Sequence, residues 1–361
     1  MSKNVSKHKA NLLLWKNLLG EYLLGEWKIL ILIVLLIGTT FFFSDRLVAP
    51  LSNSAFLKVL DASGKFGILI AIIAFLREVP KWEKRLLDEA KRRQFEYWKV
   101  IDAAKSVEKW DDGRFVSISL RMALEGLAQE KDQNGNRIKI RDVYAMGANL
   151  AEIDLTNSNF YFCSFILTNL ENADFCKSKL YDVRLNRARL FGANFEGADF
   201  QEVGLKYALY NDETRFPEKF DIKGTMAYRI APGVNLQGAF LENASLWDVN
   251  LEKSNLQGAD LSNSIIGGIK SNWRYANLQS ANLKGVRAAL ADLRYVNLQN
   301  ANLQEATLQD AKLDGADLKG ADLRGARYIT VEQITTAVNW KDAIYDPEFL
   351  EELNSRSHQI K

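Results

Sequence analysis

The chain has 361 residues, a net charge of +2, two cysteines and two histidines. Two cysteines cannot build a disulfide framework, and so little histidine excludes most metal sites and most proton-transfer chemistry near neutral pH. A balanced charge excludes a strongly basic nucleic-acid binder.

Residues 1–26 read as a basic cytoplasmic tail followed by an amphipathic segment, in which Leu12, Trp15, Leu19 and Tyr22 recur at helical spacing. Such a segment lies in a membrane interface rather than crossing it. Residues 27–79 read as a transmembrane hairpin. Its first limb, Ile29 to Phe43, carries no charge, and as a helix it spans about 22 Å. Trp27 and Lys28 extend that reach by anchoring at the interface. The second limb, Phe66 to Leu76, must recruit Phe56 to Lys65 to cross about 30 Å of hydrocarbon. Asp61 and Lys65 lie one helical turn apart there and can pair. A buried or interfacial segment is the alternative for this second limb. Lys3, Lys7, Lys9, Lys16 and Lys28 precede the hairpin, and Arg77, Lys81, Lys84, Arg85, Lys91, Arg92 and Arg93 follow it. The positive-inside rule therefore puts both ends, and all that follows, on the cytoplasmic side of a plasma or thylakoid membrane.

Residues 80–142 form a charged helical connector and an N-terminal cap. Lys81 to Lys109 lacks Gly and Pro, with Phe95, Trp98, Ile101 and Ala104 as its apolar stripe. The basic start of this stretch suits either anionic headgroups or simple solvation. A second helix is expected near Val116–Gln129, then a turn over Lys131–Arg137.

From residue 143 the pattern changes. Leu150, Leu155, Phe160, Phe165, Leu170, Phe175, Leu180, Leu185, Leu190, Phe195, Phe200 and Leu205 fall five apart, each preceded two residues earlier by a small or β-branched residue. The series resumes at Leu236, runs to Ile266, slips by two residues, and continues from Leu278 to Leu323, with Ala288 its weak member. A period of five gives a helix no single apolar stripe, and it sends successive leucines of a flat strand to opposite faces. A backbone that turns a corner every five residues brings all of them into one core, with coils about 4.8 Å apart. The sequence thus predicts a mainly β solenoid.

The unit Ala316-Asp317-Leu318-Lys319-Gly320 resembles the pentapeptide-repeat family, and the resemblance extends over about Val143 to Tyr328. It implies a right-handed quadrilateral β-helix with four pentapeptides per coil. The flanks, including Tyr97-Trp98-Lys99-Val100-Ile101, resemble membrane-anchored members common in cyanobacteria. Within 143–328, residues 206–233 break the period and read as a bulge or a link between stacked segments, with a partner-binding loop as the functional alternative. Residues 329–361 are expected to form a C-terminal helical cap and tail. Thr330 and Gln333 have capping-box spacing there, Val331, Ile334 and Val338 are placed to cover the last coil, and Pro347 opens a further helix.

No motif for a cofactor, metal or catalytic group emerges. The repeats hold no histidine, and their aspartates mostly occupy turn positions. Cys163 sits in an inward slot as core filler and Cys176 in an outward one. The candidate interaction surface consists of Tyr161, Phe162, Ile166, Leu167 and Tyr181, apolar side chains in outward slots, with the basic cluster Arg184, Arg187 and Arg189 beside them. The N-terminal cap or long helix is expected to cover this patch; a docked partner is the alternative. The implied function is a non-catalytic, membrane-anchored scaffold or protein-binding module, free to form homo-oligomers, whose partners are the lipid bilayer and an unidentified protein but no nucleic acid. The family also contains DNA mimics that bind type II topoisomerases such as gyrase. That role needs a strongly acidic surface, whereas residues 143–328 hold 22 Asp plus Glu against 20 Lys plus Arg. A transport or assembly accessory subunit is a third reading, limited by a hairpin whose sole potentially buried acid is Asp61.

Overall fold

The computed structural model describes residues 80–82, 84–103, 114–132 and 135–356. Both candidate membrane limbs lie outside the described residues, as does the interfacial segment. Among the described residues no helix is long and apolar enough to cross a membrane.

The five-residue columns become a parallel β-solenoid. Four short strands, β1 (Lys139–Arg141), β2 (Asn159–Tyr161), β3 (Lys179–Tyr181) and β4 (Asp199–Gln201), stack in that order, each displaced by twenty residues from the last. Three further columns repeat the displacement: Tyr144 with Ser164, Asn149 with Asn169, and Asp154 with Asp174. Four pentapeptides therefore make one coil. Most corners are turns closed by a backbone hydrogen bond, as from the Ala173 N–H to the Leu170 carbonyl at 3.1 Å, where the third residue, Asn172, has the positive φ (55°) of a type II turn. Asn and Asp before the central leucine brace these corners: Asn169 Oδ1 accepts the Glu171 N–H, while its Nδ2 donates to Asn149 in the coil above. That dual use explains why the slot favours Asx.

The first array closes at both ends. Helix α2 (Arg114–Gln129) lies over the first coil, where Arg121 donates to the carbonyls of Ala151 and Glu152. Helix α1 (84–103) packs on α2 so closely that a Cβ at Gly126 would meet the Tyr97 ring. Tyr97, Trp98 and Ile101 face this core, and Phe95, expected in the stripe, is exposed instead. One turn of helix carries the contact from Trp98 to Ile101, whereas Phe95 rotates to the far side and meets Lys99.

The break at 206–233 is neither a plain bulge nor a link between stacked segments. It plugs the far end of the first array. Phe216 stacks on Phe195 at 5.9 Å, and Phe220 meets Phe200 edge-on at 4.9 Å. Strand β5 (Leu209–Tyr210) continues the ladder and pairs with β6 (Tyr228–Arg229), returned by a 3-10 turn at Ile222–Thr225. The second array then starts from the side of the first rather than its end. Phe191, Leu209 and Ile230 join the core of the second array, whose own columns begin at Asn235 and Leu236.

The second array steps Asn235, Asn255, Asn277, Asn297, Asp317. One coil holds 22 residues because Gly267 and Gly268 are inserted, so that Ile265 pairs with Arg287. Trp273 occupies the central slot just after the insertion, fully buried, its Nε1 donating to the Ile266 carbonyl at 3.1 Å. The far end is closed by α3 (Val331–Thr335) and α4 (Pro347–Arg356), with Val331, Ile334 and Leu353 buried. The Thr330–Gln333 capping box is formed. Val338 does not cover the last coil: it extends the ladder by pairing with Asp317, which leaves its side chain exposed.

Candidate interaction surface

With all four solenoid ends capped, the candidate residues lie on the sides. On the side built by β1–β4, Tyr161 and Tyr181 face outward from adjacent coils with ring centroids 5.8 Å apart. Phe162 meets Tyr181 edge-on at 5.6 Å. Lys139 Nζ and the Arg141 guanidinium sit 5.4 and 5.3 Å from the Tyr161 ring centroid, so cations line one edge of the aromatic cluster. Phe162 and Leu167 hold left-handed corner positions, with φ of 57° and 59°. A bulky side chain there costs roughly 1–2 kcal/mol that Gly would avoid. Ile166 and Leu167 are half-buried at the next corner.

Coverage by the cap is incomplete. Phe162 remains 46% exposed and Tyr181 is also exposed, because α2 contacts the first coil and these residues belong to the second and third.

The basic cluster divides. Arg184 is exposed below Ser164. Arg187 lies 3.7 Å from Glu242 of the second array and over the Tyr207 ring. Arg189 is only 4% exposed and leaves the candidate surface altogether. Its guanidinium donates to Glu171 at 3.2 Å and to the carbonyls of Ser245 and Trp247 at 3.0 and 3.1 Å, between the rings of Phe191 and Trp247. Burial pulls its pKa below the ordinary guanidinium value, while Glu171 opposes that shift. Arg189 is thus the joint between the arrays; an outward slot became an internal one because the second array docks on that side.

Other outward groups went unnoticed in the sequence. Tyr275 and Tyr295 stack at 5.0 Å, and Trp247, Ile269 and Leu290 are exposed along another corner. The signal was present: Tyr275, Leu290 and Tyr295 occupy the second position after the central residue, where Gly, Asn or Asp is cheaper. Among the described residues no group of His, Cys, Asp and Glu is placed to hold a metal ion. Cys163 is buried and Cys176 half-buried.

Matches to a known family fall on both arrays. Pentapeptide repeats match in eight copies, over residues 168–206, 233–268 and 291–327. The chain therefore carries pentapeptide repeats in both arrays. No curated protein matches it. Among solved structures, it is similar to HetL, a pentapeptide repeat protein involved in heterocyst differentiation regulation in the cyanobacterium Nostoc, with 23% identity over 60% of this chain and 90% of that one and a TM-score of 0.24. It is also similar to QnrB1, a plasmid-mediated fluoroquinolone resistance protein, with 13% identity over 61% of this chain and 88% of that one and a TM-score of 0.22.

Proposed function

We propose that this chain is a non-catalytic scaffold, tethered to a membrane by residues 27–79 with its solenoids on the cytoplasmic side, that presents the Tyr161–Phe162–Tyr181 side to a protein partner. One observation carries the partner reading. Phe162, in a strained corner, and Tyr181 project into solvent beside Arg141 and Lys139, a composition typical of interface anchors. Arg184 belongs to the same surface, with Ile166 and Leu167 at its rim. The tether rests on the apolar run Ile29–Phe43 and on the basic residues flanking the hairpin.

A photo-crosslinking residue at Tyr181, in native membranes, tests the partner. A reproducible adduct absent with the same group at Gln257 supports it; equal, nonspecific labelling at both positions rejects it. Protease added to sealed vesicles tests the topology. Digestion of the solenoids from the cytoplasmic side supports the tether as drawn, and a protected solenoid contradicts it. The near-neutral charge of the arrays gives a DNA-mimic role no support.

A further inference from the structure

The corner of the second array formed by Trp247, Ile269 and Leu290 differs from every other. The three belong to successive coils: the Asp248 N–H donates to Gly267, Gly268 to Ala289, and Leu290 to Gln309. Ile269 stands in the turn just after the Gly267–Gly268 insertion and is 86% exposed, the most exposed large apolar side chain among the described residues. Half-buried Ile265 adds to the same side.

The adjoining outward column reads Ser245, Ile265, Arg287, Thr307, Arg327. It holds two arginines and no acid, whereas the other three columns of this array include Asp317, Asp260 and Asp322, or Asp292. Arg287, Arg327 and Lys270 are exposed, and among the described residues none of them has an ion-pair partner. Two acids stand at the corner. Asp248 is engaged by the Lys270 N–H at 2.9 Å, and Asp310 is exposed. Cations without ion-pair partners among the described residues, interleaved with a protruding isoleucine and a leucine beside the outer edge of Trp247, whose ring also packs on Arg189, match the chemistry of an anionic lipid surface: headgroups take the cations and the upper acyl region takes the apolar tips. A nucleic acid would take the cations but has no place for an exposed aliphatic tip.

We infer that this side of the second array lies against an anionic bilayer surface, with Ile269 inserted among the headgroups and Arg287, Lys270 and Arg327 paired to lipid phosphates. The inference rests on the membrane-tethered reading and adds to it which side of the solenoid meets the lipid.

The full chain carrying Cys176→Ser and Ile269→Cys, labelled with an environment-sensitive fluorophore, is reconstituted into phosphatidylcholine vesicles with and without phosphatidylglycerol. A label at Gln257, on the amide-lined side, is the reference. Co-flotation with the vesicles is scored first, and a chain that fails to float removes both the tether and the inference. In floating protein, phosphatidylglycerol is expected to shift emission at 269 to the blue and to shield it from aqueous iodide, while 257 stays accessible. Lys270→Glu with Arg287→Glu should reverse the shielding, by about fivefold per basic residue removed. If 269 is as accessible as 257 in floating protein, the inference is overturned and the tether stands. Shielding indifferent to lipid charge and to both reversals also overturns it, since it identifies a protein cover.

Discussion

At Gly267 the backbone runs so close to the next coil that a Cβ would sit 2.3 Å from the Ala289 carbonyl oxygen. Gly267→Ala is therefore expected to cost about 1–3 kcal/mol in urea unfolding, as overpacking against rigid backbone does. Leu290 poses the opposite case. Its φ of 63° is strained and its side chain is exposed, so Leu290→Gly relieves roughly 1–2 kcal/mol of strain against about 0.5–1 kcal/mol of lost glycine entropy. The melting temperature should hold or rise, and a fall would mean that Leu290 packs on something within the chain. Charge acts at this scale too. Hydrogen bonds from Arg294 and Arg324 hold the carboxyls of Asp292 and Asp322 below the ordinary carboxylate value. A carboxyl depressed on folding contributes stability above its unfolded pKa of about 3.9 and loses it as pH falls through the folded value. Melting should be nearly flat from about pH 7 to about pH 5 and decline below about pH 4; Asp322→Asn should shrink that decline.

The caps and the joint decide how the elements hold together. Phe216→Ala removes the ring that closes the first array over Phe195. A loss of about 3–5 kcal/mol is expected, with aggregation as the last coil is uncovered, read by light scattering during a thermal ramp. Arg189→Leu leaves the Ser245 and Trp247 carbonyls and Glu171 without their donor. Leaving these part-buried acceptors unsatisfied is expected to cost about 1–3 kcal/mol, and faster proteolysis near residues 210–235 should accompany it. Arg189→Lys should not rescue, because one ammonium cannot reproduce the planar fork. These two elements were the least legible in the sequence. Phe216 and Phe220 lie in a stretch with no period, where nothing local says that a loop will turn back onto a core. Arg189 follows the outward register, and register alone cannot tell which side of one array will receive another. Helix α3 was legible, since Thr330 and Gln333 form a local signal that needs no tertiary partner.

For the molecule as a whole, the five-residue period carried the solenoid because every unit repeats the same local problem: one small and one large inward group, then a left-handed corner. Twelve successive members of the first series needed no long-range information. A two-residue slip between Ile266 and Leu278 was visible, but neither its place at Gly267–Gly268 nor Trp273 in a leucine slot was, since an indole among polar neighbours reads as a surface group until its Nε1 partner, the Ile266 carbonyl, is seen. Of the candidate surface, the pairing of Tyr161 with Tyr181 followed from a twenty-residue coil. The loss of Arg189 from it required the second array. That two arrays meet side to end also explains why the binding surfaces argued above lie on flanks rather than tips.

Pairwise spin-label distances test the central claim most directly, with one label fixed at Gln237 and the other moved through Gln279, Gln299 and Lys319. These positions share one column of the second array, so the separation should grow in equal steps of about 4.8 Å per coil, reaching about 19 Å at Lys319. Distances that fail to rise stepwise, or that scatter broadly at all three positions, would contradict the stacked-coil account.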